Sequence, residues 1–149
     1  MADDLSDRLQ AIVDALPLVP GLRVIEIGCG PGAMARAIAR RLAAPAGGRP
    51  GHVLAIDRSA KAIGQAGTLC RAEIAAGLLG LRQVAVEDFV LAPGEAPYDL
   101  AVAVRVGALD GRHPEAGRRA RARMAAALVP DGRLFIDGGT PLRELDLRG

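Results

Sequence analysis

The run Val24-Ile25-Glu26-Ile27-Gly28-Cys29-Gly30-Pro31-Gly32 organises this chain, because a β-branched, nearly all-apolar segment discharges there into glycines and then into a helix former. Leu22 to Ile27 has the composition of a strand covered on both faces of a parallel sheet. Gly28, Gly30 and Gly32 follow at alternate positions. Glycine adopts positive φ without strain and lets a ligand come close where any Cβ would intrude. Ala33 to Leu42 is a strong helix former, so the unpaired amides of its first turn face whatever occupies the glycine turn. Glu26 is the odd residue. A carboxylate one step before the end of an apolar strand is costly to bury without partners. Either it reaches solvent, or it organises the glycine loop and faces a cationic group of a ligand.

The sequence Glu26-Ile27-Gly28-Cys29-Gly30-Pro31-Gly32 resembles the first motif of the class I S-adenosylmethionine-dependent methyltransferases, an acid followed by Gly-x-Gly-x-Gly. Gly28-x-Gly30-x-x-Ala33 also fits the dinucleotide fingerprint Gly-x-Gly-x-x-Gly/Ala, so an NAD- or FAD-binding Rossmann module stays open on this stretch alone.

The 149 residues suit one domain. Half are hydrophobic and 24% charged, a globular composition. Tyr98, Phe89 and Phe135 are the only aromatic residues, which argues against a base-stacking platform for nucleic acid. Net charge is +2, and Lys61 is the one basic residue that is not arginine. Cys29 and Cys70 form no Cys-x-x-Cys pair and have only His52 and His113 as companions, so neither a disulfide framework nor a zinc site is indicated. With no basic-then-apolar leader and no apolar run of about 18 residues, the expected location is the cytoplasm, with no membrane contact.

Outward from the glycine turn, Leu5, Leu9, Ile12, Val13 and Leu16 recur at helical spacing, with Ser6 and the acidic Asp3 and Asp4 near the start. Residues 1–20 are therefore a leading helix covering one face of the sheet. Pro45 to Gly51 is a loop by composition. His52 to Asp57 reads as a second strand ending on an acid 25 residues after Gly32, a βαβ separation that sets Asp57 beside the glycine turn. A carboxylate there can accept both hydroxyls of an adenosine ribose, or cap the helix opening near Arg58 and Ser59. Ala60 to Leu79 reads as a helix weakened by Gly64 and Gly67, and Leu81 to Val86 as a third strand ending in Glu87-Asp88-Phe89. Tyr98 to Val106 reads as a fourth strand. Val104, Arg105 and Val106 then emerge at the carboxyl edge, where Gly107 to Pro114 forms a loop. Glu115 to Leu128 is a helix with Pro114 at its first position, Val129 to Gly132 a turn, and Arg133 to Asp137 a fifth strand.

Two further stretches carry the resemblance: Tyr98-Asp99-Leu100-Ala101-Val102 is similar to the family's fourth motif, and Leu128-Val129-Pro130-Asp131-Gly132-Arg133 to its post-helix turn. The resemblance spans Leu22 to Asp137 and implies an α/β, Rossmann-like doubly wound, mostly parallel sheet of order 3-2-1-4-5, truncated after the fifth strand. It implies S-adenosyl-L-methionine as cofactor, and no metal. Gly28, Cys29, Gly30 and Gly32 would hold the methionine and ribose portion, with Glu26 on the loop and the ligand's amino group. Asp57 would take the ribose hydroxyls and Arg58 lie along the adenine. Asp88 and the Phe89 amide would read the adenine edge, and Val104 would also contact the cofactor.

No catalytic residue is assigned; Arg105, Asp110 and His113 are the polar candidates at the acceptor end. The motif of nucleic-acid amino methyltransferases is missing after the fourth strand, where Arg105-Val106-Gly107-Ala108 stands. The acceptor is therefore expected to be a small molecule, with nucleic acid disfavoured. A catalytically inactive S-adenosylmethionine-binding subunit is the second reading. Residues 138–149 form a tail too short for the further helix and strand pair of the resembled fold. Leu142, Leu145 and Leu147 could make a short strand or cover the edge. Otherwise the fifth strand has an open edge that a second copy would pair, giving a homodimer.

Overall fold

A computed structural model describes residues 5–147. Asp3 and Asp4, expected near the first helix, and the last two residues of the tail lie outside the described residues. The strands are β1 (Arg23–Ile27), β2 (His52–Asp57), β3 (Leu79–Gln83), β4 (Tyr98–Ala103), β5 (Leu128–Asp137) and β6 (Leu142–Leu145). The helices are α1 (Asp7–Ala15), α2 (Ala33–Leu42), α3 (Ala60–Leu69), α4 (Arg71–Ala75) and α5 (Pro114–Ala127). One six-stranded sheet runs β3-β2-β1-β4-β5-β6, with the first five strands parallel and β6 antiparallel to β5.

Side chains alternate across a strand, so the apolar runs feed two cores. Val24, Val53, Ala55, Leu100 and Val102 pack with Ile12 and Val13 of α1 and Met34, Ile38 and Leu42 of α2. On the opposite face, Ile25, Ile27, Leu54, Ile56, Leu134 and Ile136 meet Ala120, Met124 and Ala127 of α5. Fully burying an aliphatic side chain of this size contributes about 1.5–3 kcal/mol. Ser6 caps α1, its hydroxyl accepting from the Leu9 amide.

Several boundaries differ from those read in the sequence, each for a local reason. The stretch expected as one helix to Leu79 breaks at Cys70 and again at Gly77, whose φ is +77°. β3 then begins at Leu79, two residues early, in register Val53↔Leu79 with β2. Gly80 inside it lies under the His52 ring, 3.2 Å from Nε2 at the position a Cβ would take. β4 stops at Ala103, short of Val106, because Arg105 turns to φ +56°. The expected turn at Val129 to Gly132 is a bulge inside β5, lying between the pairs Tyr98↔Leu128 and Leu100↔Arg133.

Beyond the fifth strand the chain makes the short strand that the tail leucines allowed, and β6 pairs with β5 from Leu134↔Leu145 to Asp137↔Leu142. The β5 edge is thus filled by the chain's own β6, so the open fifth-strand edge on which the homodimer expectation rests is not present among the described residues. None of the helices among the described residues is long and apolar enough to cross a membrane.

Candidate functional site

The strand order reverses between β1 and β4, and the carboxyl ends of β1, β2 and β4 open there into a cleft of about 870 Å³. A crevice at such a switch point is where doubly wound sheets hold their ligands. Gly28, Asp57, Arg58, Val104, Arg105 and His113 all line it.

The glycine turn is built as the sequence indicated. Gly28, Gly30 and Gly32 have φ of +70°, +54° and +97°. The Gly28 and Cys29 amides both donate to the Ile56 carbonyl, at 2.8 and 2.9 Å, which ties the turn to the end of β2. A Cβ on Gly28 would meet Val106 Cγ2 at 2.9 Å, and one on Gly32 would meet Ala66 Cβ at the same distance. Nothing lies within 4 Å of where a Cβ of Gly30 would stand, so the turn is open at its middle. Gly32 is also the residue from which α2 starts, with no side-chain cap.

Asp57 does structural work at the same place. Its Oδ2 accepts from the Gly30 amide and its Oδ1 from the Ser59 amide, both at 2.9 Å. Ser59 performs the cap of α3, its hydroxyl accepting from Ala62. Each Asp57 oxygen still has a lone-pair direction to spare, since a carboxylate offers about four acceptor sites.

Glu26 is 3% exposed and sits in the same small volume as Cys29 and Asp57. Its Oε1 is buried with no hydrogen-bond partner. Burial, and then the neighbouring charge of Asp57, push its carboxyl up to about 8. Burial likewise pushes the Cys29 thiol up to about 12 and the Cys70 thiol to about 11, so both are packing groups and not nucleophiles.

Asp88 and Phe89, expected at the adenine edge, do not line the cleft. Asp88 ends a 3₁₀ turn, Val86–Asp88, and pairs with Arg119 at 2.7 Å. Phe89 is 1% exposed in the α5-side core, and its amide donates to the Val86 carbonyl. The groups that face the cleft here are Val84, Ala85, Val86 and Glu87. β3 ends at Gln83, and of the acidic pair that follows, it is Glu87 that lines the cleft. The spacing back to Gly77 and Gly80 was the available signal.

At the other end, Arg105 and His113 line the cleft, whereas Asp110 does not. Both Asp110 oxygens accept from Arg112 Nε, at 2.9 and 2.8 Å, and hydrogen bonding to Arg112 holds its carboxyl below the ordinary range. Arg112 lines the cleft and was not singled out in the sequence. Of the three catalytic candidates, Arg105 and His113 thus share the cleft, while Asp110 is taken up by Arg112. Among the described residues, no group of three His, Cys, Asp or Glu side chains could hold a metal ion.

A parallel sheet with a glycine turn over the crevice at its switch point defines a doubly wound α/β domain of the nucleotide-binding type. More particularly, residues 24–132 match the sequence model of the methyltransferase domain, and the chain belongs to that family. No curated protein matches it significantly. Similar solved structures include the YcgJ protein from Bacillus subtilis, 17% identical with a TM-score of 0.67, covering 87% of this chain and 49% of that one. A SAM-dependent methyltransferase from Thiobacillus denitrificans in complex with S-adenosyl-L-homocysteine is 22% identical, with a TM-score of 0.65 and coverage of 90% and 48%. A TehB-like SAM-dependent methyltransferase from Corynebacterium glutamicum is 23% identical, with a TM-score of 0.62 and coverage of 93% and 66%. The chain spans about half the length of the first two of these.

Proposed function

We propose that the chain binds S-adenosylmethionine across the carboxyl edge of the sheet and transfers its methyl group to a small-molecule acceptor. The observation that carries this reading is Gly30: a backbone at φ +54° with open space where its Cβ would be, and with the Asp57 carboxylate fixed on its amide. A ribose can approach the turn there and give its hydroxyls to the remaining lone pairs of Asp57. Below it, the unpartnered Glu26 oxygen belongs to a carboxyl that burial keeps protonated, and a cationic ligand above the turn would favour its ionised form. Val84, Ala85 and Val86 offer an apolar wall for adenine, Glu87 an acceptor at its edge, and Arg58 a planar cation along it.

When bound, the cofactor supplies an activated methyl carbon: the acceptor's lone pair bonds to it, the C–S bond breaks, and that electron pair stays on sulfur. The residues of the chain contribute orientation, which suffices for an in-line displacement. Val104 and Gly28 bound the space between cofactor and acceptor, and His113 is the imidazole at the acceptor end that can take a proton from an acceptor that starts protonated. Both cysteines are unbridged, which suits action in the cytoplasm.

Calorimetry with S-adenosylmethionine, S-adenosylhomocysteine and NAD tests the reading. The first two are expected to bind and NAD is not; binding of NAD alone overturns it. The engagement of Asp110 by Arg112, which takes up the one carboxylate among the three acceptor-end candidates, favours a second reading, a cofactor-binding subunit without activity of its own. A tritium-methyl survey of acceptor pools separates the two, since only the enzyme labels a product.

A further inference from the structure

A smaller cavity of about 460 Å³ opens beside the main cleft, and Arg105 and Arg112 line both. Asp110, Asp137, Gly138 and Arg143 complete its walls. Its two carboxylates are already engaged. Asp110 is held by Arg112, and Asp137 accepts from Arg8 Nη2 at 2.8 Å and from the Arg105 amide at 3.0 Å. The guanidinium groups of Arg105 and Arg143, by contrast, have no hydrogen bond or ion pair among the described residues. Arginines outside this cavity, such as Arg82, Arg118 and Arg133, do find carboxylates. Three guanidinium groups against two engaged carboxylates leave the cavity positive.

Arg105 is held there by its backbone. Among the described residues it alone has positive φ without being glycine, a conformation that costs about 1–3 kcal/mol and persists only when its surroundings impose it. Both of its backbone groups are clamped, the amide by Asp137 and the carbonyl by Arg112 Nη2 at 3.2 Å. Gly138 keeps the opposite wall bare: Arg143 Nε is 3.7 Å from where a Cβ would stand. A planar guanidinium fork matches carboxylate and phosphate oxygens two at a time.

We propose that this cavity is an oxyanion subsite that holds a carboxylate or phosphate group of the methyl acceptor, while the rest of that molecule lies in the main cleft. The assignment of the anion to the acceptor rests on the methyl-transfer reading above. The test titrates inorganic phosphate and malonate, at constant ionic strength with chloride as control, into wild type and into Arg143→Gln and Arg105→Gln. Arginine Nε–H NMR signals are followed, and each variant's fold is checked by circular dichroism. Calorimetry with S-adenosylhomocysteine runs in parallel.

Phosphate or malonate is expected to shift the Arg105 and Arg143 signals of wild type. Either substitution should weaken that response by about tenfold, as loss of a charge-assisted fork would. Arg143→Gln should leave S-adenosylhomocysteine affinity unchanged, because Arg143 lines only the smaller cavity. Preference for phosphate identifies a phosphorylated acceptor and preference for malonate a carboxylated one. S-adenosylhomocysteine binding with no anion response, or a response equalled by chloride or untouched by either substitution, overturns the subsite alone. Failure of wild type to bind S-adenosylhomocysteine overturns the cofactor reading, and the acceptor assignment with it, whatever the anions do.

Discussion

Two glycines two positions apart, Gly30 and Gly32, separate what the turn does for folding from what it does for a ligand. Gly32 is pressed against α3: a Cβ would stand 2.9 Å from Ala66 Cβ and 3.1 Å from Cys70 Sγ, at φ +97°. Gly32→Ala should therefore cost about 2–5 kcal/mol in strain and overpacking, read as a lower urea midpoint. Gly30→Ala has open space and a φ of +54°, so only the left-handed penalty of about 1–2 kcal/mol applies. That variant should fold, with Tm lowered by roughly 2–8 °C, yet bind S-adenosylhomocysteine at least about tenfold more weakly, because its methyl group stands where the ligand comes close. Equal affinity in Gly30→Ala and wild type would remove Gly30 from the site. That the glycine turn and Asp57 lie side by side was legible because it is fixed by spacing along one βαβ unit. That Glu87 lines the cleft in place of Asp88 or Phe89 was not, because which of three consecutive residues faces a cleft depends on where the preceding strand ends.

At the scale of elements, that strand end is set by contacts the sequence does not display. β3 lies two residues earlier than its β-branched content suggests because the His52 ring covers Gly80 while its Nδ1 meets the Gly77 carbonyl at 2.9 Å. A glycine that reads as a weak spot in a strand is here a close approach. The segment that follows is then tied down by Glu95, only 12% exposed, which accepts from both Arg82 nitrogens, the Ala92 amide and the Tyr98 hydroxyl. Burial opposes its charge, but hydrogen bonds from Arg82, Tyr98 and Ala92 outweigh this and hold the carboxyl at about 2. Its folded value is depressed from 4.5, so its contribution is complete above pH 4.5 and is lost as pH falls from there toward 2. Glu95→Gln should cost about 2–4 kcal/mol at neutral pH by leaving Arg82 without its counter-charge. Melts between pH 5 and pH 3 should show a shallower acid loss in the variant; parallel curves would mean that the hub does not bear load.

For the molecule as a whole, a parallel α/β sheet was readable because apolar runs alternate with helical stretches, whereas the strand order 3-2-1-4-5 was implied only by the family resemblance. The sixth strand was readable only as one option, since Leu142 and Leu145 suit an edge strand or a loose cover equally. Glu26 was visible as an anomaly, but its consequence is global and appears only once its burial is known. The folded value of about 8 stands above the ordinary 4.5, so between these pH values the folded chain keeps a proton that the unfolded chain has released. Stability then falls as pH rises through that window, opposite in sign to Glu95. Urea midpoints should decline from pH 5 to pH 8 in wild type, and Glu26→Gln, which cannot ionise, should remove that decline and exceed wild type at pH 8. A cationic ligand above the turn favours the ionised carboxylate, so cofactor binding near pH 7 should release a proton. Calorimetry in buffers of different ionisation enthalpy reads that release directly. Its persistence in Glu26→Gln would assign the proton to another group and leave Glu26 as a support for the turn without contact with the ligand's charge.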